Sequence, residues 1–233
     1  MKKIAFCIPT TTNKRTWINA EETDLWNVLF KDLEQHTPTD CEITCFVGYD
    51  ADCKVWSDPE QRMKCNVTFT KFKIEWIAFN VEKGHVNVIW NELATFAAVG
   101  EGFEYLKILG DDIRLPRDTG WLSCFVNKLK KNNNIGFCAG WSNNNDIPTQ
   151  FLIHKNHIDI FGWVYPPEIP NWGVDDFMFQ VYPHKWGIWL KSYPLLNVGG
   201  QPRYDIQFSE NYVKAVVRRY KPKLNRFLQQ MNK

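Results

Sequence analysis

Short apolar runs alternate along this chain with stripes of apolar residues at helical spacing, and that alternation narrows its fold more than any other feature. Strand-like runs fall at Lys3–Ile8, Ile43–Gly48, Asn66–Phe72, Tyr105–Leu109, Ile135–Ala139, Phe151–His154 and Gly187–Tyr193. Between them, Leu25, Val28, Leu29 and Leu33 share one helical face, as do Val86, Ile89, Leu93 and Phe96. A third stripe, Leu122, Phe125, Val126 and Leu129, has Asp118 or Thr119 placed to cap it and Asn132–Gly136 to end it. A fourth, Val213, Val216, Val217 and Tyr220, follows Ser209 as cap and is expected to stop before Pro222. Such alternation predicts an α/β fold with a mostly parallel central sheet flanked by helices. No internal repeat and no linker rich in Gly, Ser or Pro interrupts it, so residues 1–233 read as one domain.

Composition closes off several classes of function. With 44% hydrophobic and 23% charged residues the chain is neither disordered nor fibrous. Area scaling lets a chain of this mass bury roughly 70% of its unfolded surface, on the order of 29,000 Å², without disulfides or structural metals. A net charge of +2 announces no nucleic-acid partner. Seven cysteines make an odd set with no CxxC pair and no zinc-type spacing, which suits buried thiols in a reducing compartment. No apolar window reaches membrane-spanning length, and the opening MKKIAFCIPTTTNKR lacks the apolar core and cleavage site of a signal peptide. These features predict a soluble, cytoplasmic protein with no membrane span, in which the NVT sequon at Asn66 is incidental. Eleven tryptophans exceed what such a core needs, so some line surfaces or clefts.

Parallel α/β sheets bind ligands beyond the carboxyl ends of their strands. Three segments stand there: PTTTNKR (Pro9–Arg15), GYDADC (Gly48–Cys53) and GDD (Gly110–Asp112). In YLKILGDDIRLP an apolar strand runs directly into Asp111 and Asp112. One or two carboxylates together with substrate phosphates are how Mg²⁺ or Mn²⁺ is usually held, although turns also use Asp freely. A second acidic pair, Asp175–Asp176, opens an apolar segment in PPEIPNWGVDDFMFQVY. Acidic residues there can simply compensate a helix dipole, or one can be a catalytic base beside an aromatic wall. Neighbouring helical side chains diverge by about 100°, so only one of the two can be that base.

Taken together, these segments resemble the nucleotide-sugar glycosyltransferases of the GT-A fold, and in particular small soluble members encoded by large DNA viruses and some protists. LGDDI with the DTGW helix start, NIGFCAG, FLIHKNHIDIFG, NWGVDDFMFQVY and GGQPRY follow one another in the order such enzymes show, and FVGYDADCKVW fits as well. The resemblance implies a nucleotide-binding half over residues 1–113 and an acceptor-binding half with a basic C-terminal helix over residues 114–233. GDD stands where the family has its DxD metal motif. Its first acidic position is Gly110 here, a departure that leaves Asp112 as the expected metal ligand and turns Asp111 toward ribose or sugar. WGVDD resembles the acceptor-side motif, with Asp176 as base and Asp175 toward the acceptor. Pro9, Thr10, Thr11 and Arg15 lie where such enzymes hold the nucleoside, and Asp50 is expected at the base or ribose. Trp172 is expected to stack on sugar.

His154 is expected at a strand end on the cleft side, as a substrate contact or a structural residue, whereas His157 reads as structural. His184 is a candidate further metal or phosphate ligand. Arg203 suits a diphosphate through its guanidinium fork, or a buried ion pair. From Ser209 to Lys233 there are seven Lys or Arg and one Glu, a solvated face or a landing strip for an anionic surface.

The activity implied is metal-dependent transfer of a hexosyl or pentosyl group from a nucleoside-diphosphate sugar, with UDP as the expected carrier. The acceptor would be a glycan or glycoprotein hydroxyl, the cation Mn²⁺ or Mg²⁺, and the outcome inversion. A non-catalytic carbohydrate-binding protein is the alternative. A sugar nucleotidyltransferase is disfavoured because PTTTNKR lacks the glycines of a triphosphate loop, and neither a P-loop nor a GxSxG elbow occurs.

Overall fold

In β1 (Lys2–Thr10), Ile4, Phe6 and Ile8 enter one hydrophobic cluster and Ala5 and Cys7 another, so the strand is buried on both faces. The remaining strands are β2 (Cys41–Asp50), β3 (Lys73–Phe79), β4 (Tyr105–Ile108), β5 (Ile113–Arg114), β6 (Phe137–Trp141), β7 (Leu152–His154), β8 (Gly187–Pro194) and β9 (Leu196–Asn197). Seven form the central sheet in the order β3-β2-β1-β4-β7-β6-β8, while β5 and β9 pair separately. All neighbours in the central sheet run parallel except β7, which is antiparallel to both β4 and β6. The computed structural model describes residues 1–143, 146–205 and 208–231.

The helices are α1 (Lys31–Gln35), α2 (Pro59–Thr68), α3 (Val86–Thr95), α4 (Trp121–Lys131), α5 (Asn156–Phe161), α6 (Val174–Val181) and α7 (Glu210–Met231). The stripe on α4 is buried at all four of its expected positions, against the Ile4–Ile8 face of the sheet. Asp118 does not cap that helix from the N-cap position, which Gly120 holds, but its Oδ1 accepts the Gly120 N–H in the turn before it. Leu25–Phe30 forms a wide π-type helical segment that leads into α1. The accessible surface is 10968 Å², close to the ~11,000 Å² that area scaling gives a compact chain of this mass. Among the described residues no helix is long and apolar enough to cross a membrane, and all seven cysteines are free.

Two expectations are corrected. Asn66–Phe72 is not a strand: Asp58 accepts the Glu60 N–H, Pro59 occupies the first turn, and α2 runs on through Thr68. The strand follows instead as β3, where Ile74 and Trp76 pack on one cluster and Ile77 and Phe79 on the other. Nor does the last helix stop before Pro222. α7 continues to Met231 because the apolar stripe resumes beyond the proline with buried Leu224 and half-buried Phe227 and Leu228. The proline itself is exposed, so water can satisfy the carbonyl it orphans.

Leu224 has no exposed surface, so Leu224→Ala is expected to destabilise the fold by about 2–5 kcal/mol, read from the urea midpoint. A helix ending before Pro222 would leave Leu224 near the surface, where the same change costs under about 0.5 kcal/mol.

Candidate active site

The carboxyl ends of β1 and β4 open into a cleft of about 680 Å³, and both acidic pairs line it. Pro9, Thr10 and Thr11 come from the end of β1 and Arg15 from the loop beyond. Gly110–Asp112 follow β4, and Trp172–Asp176 enter α6. The segment Gly200–Tyr204 forms a further wall, together with Asn197. That segment is tied down by Arg15, whose Nη2 donates to the carbonyls of Gly199 (2.7 Å) and Gln201 (2.8 Å), and by Asn13 through the Arg203 carbonyl.

Asp111 is nearly inaccessible. Its carboxylate accepts the Thr10 hydroxyl at 2.6 Å and both oxygens lie on Arg203 Nη1, at 2.8 and 2.7 Å. Arg203 Nη2 reaches Asp24 at 2.7 Å, and its guanidinium lies over the Trp17 ring. Asp112 has far less compensation: Oδ1 takes a long 3.4 Å bond from Asn197 Nδ2. Burial, then the charge of Asp111, pushes its carboxyl up to about 6, with Arg203 opposing and Asp24 adding. A Cβ on Gly199 would fall 1.9 Å from Asp112 Oδ2, so only glycine lets this loop lie against that carboxylate. An undercompensated carboxylate facing a cleft fits a divalent cation. No group of three or more His, Cys, Asp or Glu among the described residues could cage one, so phosphate and water would complete the shell.

At the entry to α6, Gly173 adopts φ 95°, and a Cβ there would lie 2.9 Å from Val213 and 3.1 Å from the Phe208 ring. The glycine thereby lets the start of α7 close over the start of α6. Asp175 lines the cleft, and its charge acts on the buried Tyr165 beneath it. Burial and then Asp176 push its carboxyl up to about 7. Asp176 is raised too, chiefly by burial, with its own backbone N–H opposing and Glu210 adding. Trp172 is half-exposed at the rim, and its backbone N–H donates to Asn171 Oδ1.

The sequence matches no family model and no curated protein. The structure does match solved ones. S. aureus TarS in complex with UDP-GlcNAc aligns over 93% of this chain and 65% of its own, with 12% identity and TM-score 0.59. The mannosyltransferase PcManGT from Pyrobaculum calidifontis, in complex with GDP-Man and Mn²⁺, aligns over 87% and 58%, again with 12% identity, at TM-score 0.57. The fold is GT-A. The chain spans less than two thirds of the length of these two structures.

Within this GT-A frame, Pro9, Thr10, Thr11, Arg15, Asp111, Asp112, Trp172, Asp175, Asp176 and Arg203 meet in one cleft. Four other expected positions lie elsewhere. His154 ends β7, but β7 runs backwards and pairs its last residue with Tyr105 at the start of β4, away from the cleft. Its Nδ1 accepts the Asn156 N–H there and its ring packs on Tyr105, so it is not a substrate contact in this arrangement. His184 is exposed between α6 and the start of β8, also at the amino end of the parallel strands, with its ring near Phe179. It does not line the cleft with Asp112 and is corrected as a metal ligand. Asp50 is buried beneath the cleft wall, accepting from Thr11 (2.7 Å) and Tyr204 (3.1 Å) and paired with Lys83. His157 is structural as expected, bonded to Tyr182 and to the Val164 carbonyl.

Sequence reading missed Asp24, Tyr204, Trp90 and Gln150. Trp90 and Gln150 both line the cleft. Gln150 sits at φ 57° with its Oε1 accepting the Gly110 N–H at 3.0 Å, while its carbonyl accepts from the fully buried Lys107. Burial pulls that lysine down to about 7, and the rings of Trp121 and Phe125 flank its Nζ. A lysine inside an apolar strand was the available signal, since such a group needs a built partner.

Asp175 supplies a pH test. Its folded-state pKa lies above the unfolded value, so the penalty for its charge is absent in acid. That penalty grows as pH rises through about 7. Asp175→Asn is therefore expected to raise stability at pH 8 by about 1–3 kcal/mol and to change little at pH 4, read as Tm differences between the two pH values. Equal effects at both would place the Asp175 carboxyl in water.

Proposed function

We propose that this protein transfers a glycosyl group from a nucleoside-diphosphate sugar, with UDP the favoured carrier, to a hydroxyl of a glycan or glycoprotein, with inversion. The observation that carries the reading is that two carboxylate pairs, one after β4 and one opening α6, line one cleft on a GT-A fold. The neighbours' complexes with UDP-GlcNAc and GDP-Man support a sugar nucleotide as donor.

Asp112 would hold Mn²⁺ or Mg²⁺ together with donor phosphates. Such a cation supplies positive charge against the negative charge that develops on a departing nucleoside diphosphate. Pro9, Thr10, Thr11 and Arg15 hold the nucleoside side of the donor, while Arg203, whose Nη1 and Nη2 are taken by Asp111 and Asp24, braces the turn that carries Asp112 rather than binding the diphosphate. Burial and Asp176 push the Asp175 carboxyl up to about 7, so it can carry a proton for a sugar oxygen, while Asp176, also raised by burial, is the proposed base. Asp176 takes the proton of the acceptor hydroxyl as that oxygen bonds to the anomeric carbon. The carbon's bond to the diphosphate oxygen breaks, and its electron pair leaves with the nucleotide. Trp172 offers a face for the acceptor sugar.

Calorimetry with UDP and with GDP, each with Mn²⁺ and with EDTA, tests the donor site. One nucleotide is expected to bind with Mn²⁺ and not with EDTA, and Asp112→Ala is expected to abolish that difference. Asp176→Asn is expected to keep nucleotide binding and to lower transfer by about 10²–10⁴-fold. Loss of nucleotide binding in that variant would move Asp176 to the donor side. No binding of either nucleotide by the unmodified protein would overturn the reading in favour of carbohydrate binding without turnover.

A further inference from the structure

The charge on this molecule is segregated. Residues 209–233 carry seven Lys or Arg against one Glu, while the whole chain nets only +2, so the rest is acidic. Most of that basic charge lies on α7, whose apolar side is already used: Val213, Val216, Val217 and Leu224 are buried against the protein. Some of its cations are neutralised locally. Lys214 pairs with Glu210 at 2.6 Å, Arg219 pairs with Glu168 at 2.7 Å, and Lys223 donates to the Phe161 carbonyl. Arg218 and Lys221 are exposed and have no ion pair among the described residues.

The position of this helix gives the charge a direction. α7 begins at the acceptor side of the cleft: Val213 and Phe208 lie against Gly173, and Glu210 acts on Asp176. At about 100° per residue, Lys214, Arg218 and Lys221 fall within a sector of about 60° and cover about 10 Å of helix. Phe208 and Trp172 are each half-exposed beside the same glycine. A ligand running from Asp176 past Gly173 and along α7 would pass two aromatic surfaces and then this row of cations.

We infer that the acceptor is an anionic glycan. Its reacting sugar sits at Trp172 and Phe208, and its following acidic groups lie along Lys214, Arg218 and Lys221. The inference rests on the glycosyl-transfer reading and specifies its acceptor. A membrane suits the stripe less well, because interfacial helices bury an apolar face in lipid and the apolar face of α7 is turned into the protein.

The test uses the full chain and labelled hexasaccharides of hyaluronan and heparin, with the methyl-esterified hyaluronan hexasaccharide as the uncharged control. Fluorescence anisotropy is expected to show binding of at least one anionic probe, weakening with salt, and at least tenfold poorer binding of the ester. Two variants, K214Q/R218Q/K221Q and W172A, are each expected to weaken the anionic probe about tenfold, and the triple variant is expected to leave nucleotide binding with Mn²⁺ unchanged. The second variant separates an acceptor track from a merely basic surface, since a stripe unconnected to the cleft would not respond to it.

Anionic binding lost in the triple variant but intact in W172A would overturn the inference. So would equal affinity for the ester, or no binding of either anionic probe. Capture by phosphatidylcholine vesicles with 30% phosphatidylserine, abolished in the triple variant, would overturn it in favour of a lipid surface. Nucleotide binding by the unmodified protein distinguishes the two readings: its absence defeats glycosyl transfer itself, whereas its presence with no anionic preference defeats only this inference.

Discussion

Arg203 joins parts of the chain that are far apart in sequence, with Nη1 on Asp111 after β4 and Nη2 on Asp24 at the start of the Leu25–Phe30 helical segment. Asn13 holds the carbonyl of the same residue. A buried guanidinium is tolerable only because its donors are matched by carboxylates at short distance, and removing either partner leaves an uncompensated charge. Arg203 thereby joins the wall of Gly200–Tyr204 to that of Gly110–Asp112, alongside the bonds of Arg15 and Gln150 that hold each wall separately. The Trp17 ring beneath both Arg203 and Arg15 adds an apolar surface on which the planar cations rest.

That bridge also sets the electrostatics of the cleft. Asp24, Asp111 and Asp112 outnumber the guanidinium groups of Arg203 and Arg15 beside them, and burial together with these like charges pushes both Asp24 and Asp112 upward in pKa. Asp175 and Asp176 line the same cleft with no cation bonded to either among the described residues, and burial and Asp176 push the Asp175 carboxyl up to about 7. Ligands that bring a cation to one wall and hydroxyls to the other would satisfy both. A nucleotide sugar with its metal and a sugar acceptor have that distribution of groups, whereas a plain hydrolase substrate does not.

Much of this was legible in the sequence, because apolar periodicity is a local property. The stripe on α4 and the two-sided burial of β1 follow directly from residue spacing, and so does the placing of the acidic pairs after β4 and at the start of α6. The failures share a different cause. Pro222 looked terminal because the packing of Leu224 beyond it is a tertiary fact. Val67, Phe69 and Phe72 suggested a strand until the Asp58–Pro59 helix start was given its weight. Asp24 gave no signal, and Tyr204 none beyond its place in GGQPRY, since each acquires its role only from the partner that folding brings to it.

The direction of a strand is the largest of these non-local facts, and β7 shows its effect. Nothing in Phe151–His154 says which way the segment runs. Because β7 runs against β4 and β6, its last residue, His154, falls at the amino end of the sheet, and the loop before it arrives at the cleft. That loop brings Thr149 and Gln150 to the wall, and Gln150 takes the Gly110 N–H at the turn carrying both carboxylates. Lys107, one turn of chain earlier on β4, holds the Gln150 carbonyl from below. A left-handed backbone at a non-glycine residue is costly and persists where surrounding bonds fix it, as these two do. The same reversal that removes a histidine from the site thus supplies the residue that orients its acidic turn.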